Sequence, residues 1–337
     1  MTRSDMKEAI LEGKKHFVVK EVPEPSLEED EVLIKVHFCG ICGSDLHTYI
    51  EGIPARYGHE FSGDIVKVGA GVEGWQVGDR VTVESISSCG KCRWCLSGRM
   101  ELCDTFYDTW GNRAGGFATY TKAKAGILHR IPESVSYEAA ALTEPTAVAL
   151  HAVRLSRMGP GDTVAVLGLG PLGQIVARLA KASGAVAVYA SEVSGSRLDL
   201  AQGAVDEVID ARAVNPVERI HQLTHGRGAD VVFETAGAAI TVHQSLAAVR
   251  KGGTIVMVGV SMQLVDNLPS SNIVLNELTI KGAMCYLPGE YAMALDLIAS
   301  KRINISPLIT AIMPLDEINA AFEMAVTGEG GKILIAP

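Results

Sequence analysis

Four cysteines are packed into one short stretch, Cys89, Cys92, Cys95 and Cys103, spaced C-x2-C-x2-C-x7-C inside CGKCRWCLSGRMELC. Short spacings of this kind let neighbouring turns aim several sulfurs at one point, with Gly90 and Gly98 easing the turns. Thiolates suit zinc, at roughly 2.3 Å per bond, and a closed set of four is the structural type of site. An iron–sulfur cluster is the rival, but ferredoxin runs usually continue x3-C-P. Here the last gap is seven and Asp104 follows. A second set lies upstream, with Cys42 in CGSDLH and His59 in GHE. Asp45, three residues beyond Cys42, is placed to accept the other imidazole N–H of His59, which fixes the tautomer and raises ligand basicity. Glu60 adjoins His59, and Glu144, in LTEPTA, is the other acid placed at a plausible interdomain hinge. Either carboxylate is a candidate third ligand, and catalytic zinc sites use three protein ligands and keep one position open. Cys39 also forms a C-x2-C with Cys42, but its apolar surroundings in VHFCG assign it to core packing.

A third pattern is Gly168-Leu169-Gly170-Pro171-Leu172-Gly173, which follows the apolar run TVAVL and opens a helical pattern. Alone, G-x-G-x-x-G is a weak signal; between a strand and a helix it reads as a dinucleotide fingerprint. The first glycine makes the tight turn, the second lets the backbone approach the pyrophosphate, and the third allows close packing of the helix. The pyrophosphate then faces the helix N-terminus. Glu192 ends the next strand, 19 residues after Gly173. An acid there binds the ribose hydroxyls of NAD and repels the 2′-phosphate of NADP. Arg197, five residues on, offers partial tolerance of NADP. Val258 and Val260, with Ala236-Gly237, end later strands on the side where the nicotinamide half is expected.

The elements that must position these groups divide the chain in two. Residues 1–145 are rich in strand patterns, including KHFVVKEV, EVLIKVHF, FSGDIVKVG and GDRVTVES. From about residue 146 helices and strands alternate: a helix over EPTAVALHAVRLSRMG, then TVAVLGLG, LGQIVARLAKASG, AVAVYASE, SGSRLDLAQ, DVVFETAG, a helix near HQSLAAVRKG, and TIVMVGV. That alternation predicts a parallel, doubly wound sheet. The tail from YAMALDLIAS to KILIAP predicts two helices and a short final strand. The 337 residues suit two domains, with 47% hydrophobic residues and a mean hydropathy of +0.21. The net charge of −9 argues against a nucleic-acid partner. No apolar run is long enough to span a membrane, and the first residues carry no apolar signal core. Seven cysteines in a long chain fit a reducing compartment, and the expected localisation is cytoplasmic.

In order along the chain, Gly40–His47 (GICGSDLH), Gly58–Glu60 (GHE), GAGV from Gly69, VGDRV from Val77, the four cysteines and Glu144-Pro145 resemble the zinc-dependent medium-chain dehydrogenase/reductase family over nearly the whole length. The resemblance implies an α/β protein: a GroES-like β-rich catalytic domain over 1–146 and 287–337, and a Rossmann-type NAD-binding domain over 147–286. It implies one catalytic zinc on Cys42 and His59 and one structural zinc per chain. EPTAVALHA is similar to the polyol branch, where the glutamate matching Glu60 ligates zinc and the one matching Glu144 contacts the zinc water; the two exchange roles in other members. The implied reaction is reversible oxidation of a secondary alcohol to a ketone with NAD, zinc acting as Lewis acid, Ser44 taking the alcohol proton and His47 relaying it. Thr48, where sorbitol-type members carry an aromatic, and Cys285, where many carry Arg before the tyrosine, depart from that branch. Tyr49, Tyr57, Phe106, Trp110 and Tyr286 are candidate substrate-wall residues. The competing readings are a threonine dehydrogenase-like enzyme, another secondary-alcohol dehydrogenase, and a catalytically idle relative. The family also implies a homodimer or homotetramer, joined at sheet edges near TIVMVGV and LTIKGA.

Overall fold

The computed structural model describes residues 5–54, 57–86, 88–106, 115–260 and 264–337. Fifteen strands are described: β1 (Asp5–Gly13), β2 (His16–Pro23), β3 (Glu31–Gly40), β4 (Glu60–Val68), β5 (Arg80–Val83), β6 (Tyr120–Lys124), β7 (Leu128–Arg130), β8 (Thr163–Leu167), β9 (Ala187–Glu192), β10 (Glu207–Asp210), β11 (Ala229–Glu234), β12 (Val249–Met257), β13 (Thr279–Gly282), β14 (Ile309–Pro314) and β15 (Lys332–Ala336).

β1 and β2 form an antiparallel hairpin. A larger sheet runs β14-β15-β3-β4-β5-β7, with β6 also paired to β3. Its centre, β3, is an uninterrupted apolar strand at Val32–Ile34, buried on both faces. The sheet closes on a core in which Phe17, Tyr49, Phe117 and Phe322 meet ring to ring. The C-terminal strands β14 and β15 return to this sheet, so the chain leaves its first half and comes back.

Between those visits lies the expected parallel sheet, ordered β10-β9-β8-β11-β12-β13. Strand period 2 gives each strand two faces. Val164 and Val166 of β8 pack into the core that also holds Ile175, Val176 and Leu179 of the helix Pro171–Ala182. Ala165 and Leu167 join Ile209, Ile220 and Leu246 on the opposite side. Both faces are covered, as a parallel sheet requires. The helix Thr143–Ser156 leads from the first half into this sheet, and its His151 Nδ1 lies 2.9 Å from Glu290 Oε2 at the head of the helix Glu290–Ala299.

Two details differ from the sequence reading. The helix expected near HQSLAAVRKG runs Ala239–Ala248, and Val249 already begins β12, its β-branched side chain continuing into a buried strand. The tail holds an additional strand, β14, whose alternating half-buried and exposed residues lie on an edge. The helix over SGSRLDLAQ runs Gly195–Ala201.

Candidate metal centres and coenzyme cleft

The four-cysteine loop closes on itself. The ligand atoms of Cys89, Cys92, Cys95 and Cys103 all lie within 4.8 Å of one another. Cys92 Sγ is 3.5 Å and Cys89 Sγ 3.9 Å from Cys95 Sγ. A disulfide needs about 2.05 Å. Four sulfurs about 2.3 Å from one tetrahedral ion lie about 3.8 Å apart, so the separations fit zinc. Backbone N–H groups also point at the sulfurs: Cys89 N donates to Cys103 Sγ at 3.3 Å and Cys92 N to Cys89 Sγ at 3.4 Å. The Thr105 hydroxyl, working against burial and joined by the Cys89 N–H, pulls the Cys103 thiol down to about 6, whereas burial first and the bond to Cys92 push Cys95 up to about 11.

The second centre sits where β3 passes into the helix Gly43–Glu51 and where β4 begins. Cys42 is that helix's N-cap. Asp45 accepts from Cys42 N at 3.1 Å through Oδ2, while its Oδ1 lies 3.6 Å from His59 Nδ1. One buried carboxylate thereby fixes the turn carrying the thiol and faces the imidazole. Burial opposes a proton on His59, but the charges of Asp45 and Cys42 outweigh it and raise the ring's pKa well above the usual value. A metal must displace that proton to bind. Cys42, His59 and Glu60 place their ligand atoms within 4.8 Å of one another.

Glu60 is fully buried at the first position of β4. Lys332, itself 3% exposed at the first position of β15, donates to both Glu60 oxygens at 2.8 and 2.6 Å and to Ile41 O at 2.9 Å. Glycine at position 40 is a condition of that arrangement, since a Cβ there would lie 2.2 Å from Glu60 Oε2. Glu144 stands outside the trio. It is buried in the first turn of the helix Thr143–Ser156 and accepts from Ser85 Oγ at 2.7 Å. Ser85 N in turn donates to the Tyr286 hydroxyl at 2.8 Å. Burial raises the Glu144 carboxyl above its ordinary value, partly offset by the nearby His59. Sequence reasoning missed Lys332 and Ser85. The signal available for Lys332 was a cation opening an otherwise apolar strand.

Ser44 and His47 are exposed on the helix Gly43–Glu51. Thr48 turns its hydroxyl inward to Asp45 O at 3.0 Å. Tyr49 and Tyr57, candidates for a substrate wall, belong instead to the aromatic core of the first half, their hydroxyls bonded to Glu323 and to Ile53 O. Large flat rings gain more from that core than from a wet cleft. Phe106 is buried in the other core cluster, Tyr286 is buried at 1% exposure, and Trp110 lies outside the described residues. Cys39 is fully buried, its thiol raised well above the usual value by burial. Cys285 has φ +47° and is pushed up to about 12 by burial and then by Glu144.

At the fingerprint, Gly168 has φ +99°. A Cβ on Gly173 would lie 2.1 Å from Gly168 O. A Cβ on Gly170 would meet nothing closer than Arg197 Nη1, at an ordinary contact distance of 3.7 Å. Pro171 and Leu172 begin the helix behind it. Glu192 accepts from Leu169 N at 2.7 Å through Oε2 and from Val193 N at 2.7 Å through Oε1, while Arg197 Nη1 lies 4.0 Å from Oε2. Val260 is 66% exposed beside Gly237, whereas Val258 is buried in the core. Glu234 ends β11 fully buried, its Oε1 accepting from Ala236 N, Gly237 N and the Thr241 hydroxyl.

Residues 28–133 match the alcohol dehydrogenase GroES-like domain, and residues 171–300 match the zinc-binding dehydrogenase domain. A sorbitol dehydrogenase of Halalkalibacterium halodurans is 37% identical over 334 residues, covering 96% of this chain and 97% of that protein. Among solved structures, 2R,3R-butanediol dehydrogenase from Bacillus subtilis is similar with TM-score 0.89 and 34% identity, over 98% of this chain and 99% of that one. A zinc-binding dehydrogenase from Sinorhizobium meliloti 1021 bound to NADP is similar with TM-score 0.93 and 34% identity, over 99% of this chain and 100% of that one. The cofactors are zinc and a nicotinamide dinucleotide. With both domain matches in the order the two sheets require, the chain belongs to the zinc-dependent medium-chain dehydrogenase/reductase family, in its polyol dehydrogenase branch.

Proposed function

We propose that the protein is an NAD-linked dehydrogenase that reversibly oxidises a secondary alcohol of a polyol or diol to the ketone. The observation that carries the reading is the convergence of Cys42, His59 and Glu60 in a chain whose full-length relatives are named for sorbitol and butanediol. We assign Cys42, His59 and Glu60 as the protein ligands of the catalytic zinc, and Cys89, Cys92, Cys95 and Cys103 as those of the structural one. Zinc at the first site supplies Lewis acidity toward the alcohol oxygen, and the dinucleotide supplies the hydride acceptor. Asp45 holds His59 in register. Glu144, anchored by Ser85, presents a carboxylate beside the trio. The exposed Ser44 hydroxyl receives the alcohol proton, and His47, one helical turn on, passes it to solvent. Gly168, Gly170, Pro171, Leu172 and Gly173 seat the pyrophosphate, and Glu192 and Arg197 border the adenosine ribose; Val258 and Val260 lie toward the nicotinamide.

The catalytic domain spans 1–146 and 287–337 and the coenzyme domain 147–286. β13 lies at the open edge of the parallel sheet, with Ile280 43% exposed and Val274 and Leu275 72% and 79% exposed nearby. An edge with no further strand among the described residues, flanked by apolar side chains, favours joining two copies into a homodimer, or two such pairs into a tetramer. A mass measurement in solution tests that. The setting we infer is cytoplasmic, because both metal centres need reduced thiols.

The deciding experiment is NADH formation from NAD against polyols, vicinal diols, simple secondary alcohols and threonine, with and without a strong chelator. Chelator-sensitive turnover of polyols or diols is expected. Turnover confined to threonine, or undiminished after zinc is removed, would overturn the reading.

A further inference from the structure

The loop that follows Glu192 is held by a residue from the other end of the chain. Ser194 Oγ donates to Glu329 Oε2 at 2.8 Å, and Ser196 Oγ donates to the same oxygen at 2.5 Å. Gly330 N donates to Ser196 Oγ at 2.8 Å, and Arg197 Nε donates to Gly330 O at 3.0 Å. The serine hydroxyls, chiefly Ser196, hold the Glu329 carboxyl below its ordinary value, with Arg197 and Arg212 adding to the effect. Glu329 sits between the helix Ile318–Val326 and β15, which packs in the first-half sheet. The contact therefore ties the catalytic half to the coenzyme half.

Its place matters chemically. The acid at the end of the second strand of such a sheet meets the 2′-hydroxyl of the adenosine ribose, and a basic residue nearby is what accommodates a 2′-phosphate. Glu192 is that acid here. Arg197 Nη1 is 4.0 Å from it, and Arg212 Nη2 is 3.9 Å from where a Cβ on Gly195 would stand. Two hydroxyls and the Arg197 guanidinium around the residues after Glu192 form a set of donors that would suit a phosphate, while the Arg212 guanidinium beside them is held by Asp210, Nε to Oδ1 at 2.9 Å and Nη2 to Oδ2 at 2.8 Å. Glu329 already occupies both hydroxyls with a carboxylate, and its charge opposes a second anion.

We propose that Glu329 is a second coenzyme-selecting acid: it fills the Ser194–Ser196 donor pair and, with Glu192, excludes the 2′-phosphate, so that the chain discriminates against NADP from both sides of the interdomain cleft. The proposal rests on the dehydrogenase reading above. The relative from Sinorhizobium meliloti bound to NADP shows that this architecture admits the phosphorylated coenzyme, so selection must come from particular residues rather than from the fold.

The test titrates the zinc-loaded protein, Glu329→Gln and Glu329→Lys with NADH and NADPH, followed by nucleotide fluorescence, so that no alcohol substrate is needed. The unmutated protein is expected to bind NADH more tightly. Glu329→Gln keeps the hydrogen bonds but loses the charge, and is expected to tighten NADPH binding by about five-fold, the size of one exposed charge contact, with NADH binding changed by less than about two-fold. Glu329→Lys should tighten NADPH further, and added salt should shrink the gain. An unchanged NADPH-to-NADH ratio in both variants, or equal weakening of the two dinucleotides, would overturn the proposal and leave Glu329 a structural tie. Binding of neither dinucleotide by the unmutated protein would overturn the dehydrogenase reading and this proposal together.

Discussion

Glu60 has two claims on its charge. It is fully buried, it stands in the trio with Cys42 and His59, and it also holds the ammonium of Lys332 with both oxygens. A buried carboxylate must be paired, and removing its partner typically costs 3–5 kcal/mol. Lys332→Met should therefore cost the zinc-free protein about 3 kcal/mol or more in a denaturant titration under chelation. With zinc restored the loss should shrink, because the metal then offers Glu60 a second cation. An equal loss with and without zinc would place Glu60 away from the metal. Cys42→Ser isolates the catalytic ion. It should lower the zinc content from two to one per chain and abolish turnover while the unfolding midpoint stays nearly constant, because Cys42 is a partly exposed cap and not part of the core. Retention of two zinc ions, or of full activity, would sink that assignment.

At the scale of elements the fingerprint turn makes two glycines testable against each other. A methyl on Gly173 collides with Gly168 O at 2.1 Å, whereas a methyl on Gly170 meets only the Arg197 guanidinium, without a clash, at 3.7 Å. Gly173→Ala should lower both the melting temperature and dinucleotide affinity. Gly170→Ala should leave the melting temperature almost unchanged yet weaken NADH by about ten-fold, since the new methyl clashes with nothing in the protein and crowds only the bound pyrophosphate. Equal melting losses in both would mean that the second glycine serves the turn and not the ligand. These elements were legible in the sequence because their signals are local. TVAVL, AVAVYASE and DVVFETAG read as strands, the helices between them follow from periodicity, and the four cysteines announce their meeting by spacing alone. What stayed hidden was pairing over long separations. Lys332 meets Glu60 across 272 residues, Glu329 meets Ser194 across 135, and Ser85 reaches Glu144 across 59. No periodic pattern encodes such encounters. Tyr49 and Tyr57 show the same limit from the other side, because an aromatic near a site looks alike in sequence whether it lines the cleft or fills the core behind it.

At the scale of the whole molecule, two helices far apart in the chain meet through one buried acid. His151 and Arg154, on the helix Thr143–Ser156, both face Glu290 at the start of the helix Glu290–Ala299. Arg154 Nε lies 3.0 Å from Glu290 Oε1 as an ion pair, and Leu287 N donates to Glu290 Oε2 at 2.7 Å. Burial alone would raise the Glu290 carboxyl, but the His151 contact, the Leu287 N–H and the Arg154 charge outweigh it and hold it below its ordinary value of 4.5. The sign of the pH effect follows. A depressed carboxyl binds its proton more readily in the unfolded chain, so its stabilisation is complete above the unfolded value and is lost as pH falls through the lower, folded one. Glu290→Gln should therefore lower stability by about 2 kcal/mol near neutral pH, the scale of a charge-assisted hydrogen bond. The gap from the unmutated protein should close as the medium is acidified below 4.5. Denaturant midpoints of the two proteins, measured from about pH 7 to about pH 3, read it directly. A gap that stays constant over that range would mean that Glu290 stabilises the junction through packing alone. A gap that closes would show that one carboxylate, facing His151 and Arg154 across the contact, sets the acid limit of the junction between these two helices.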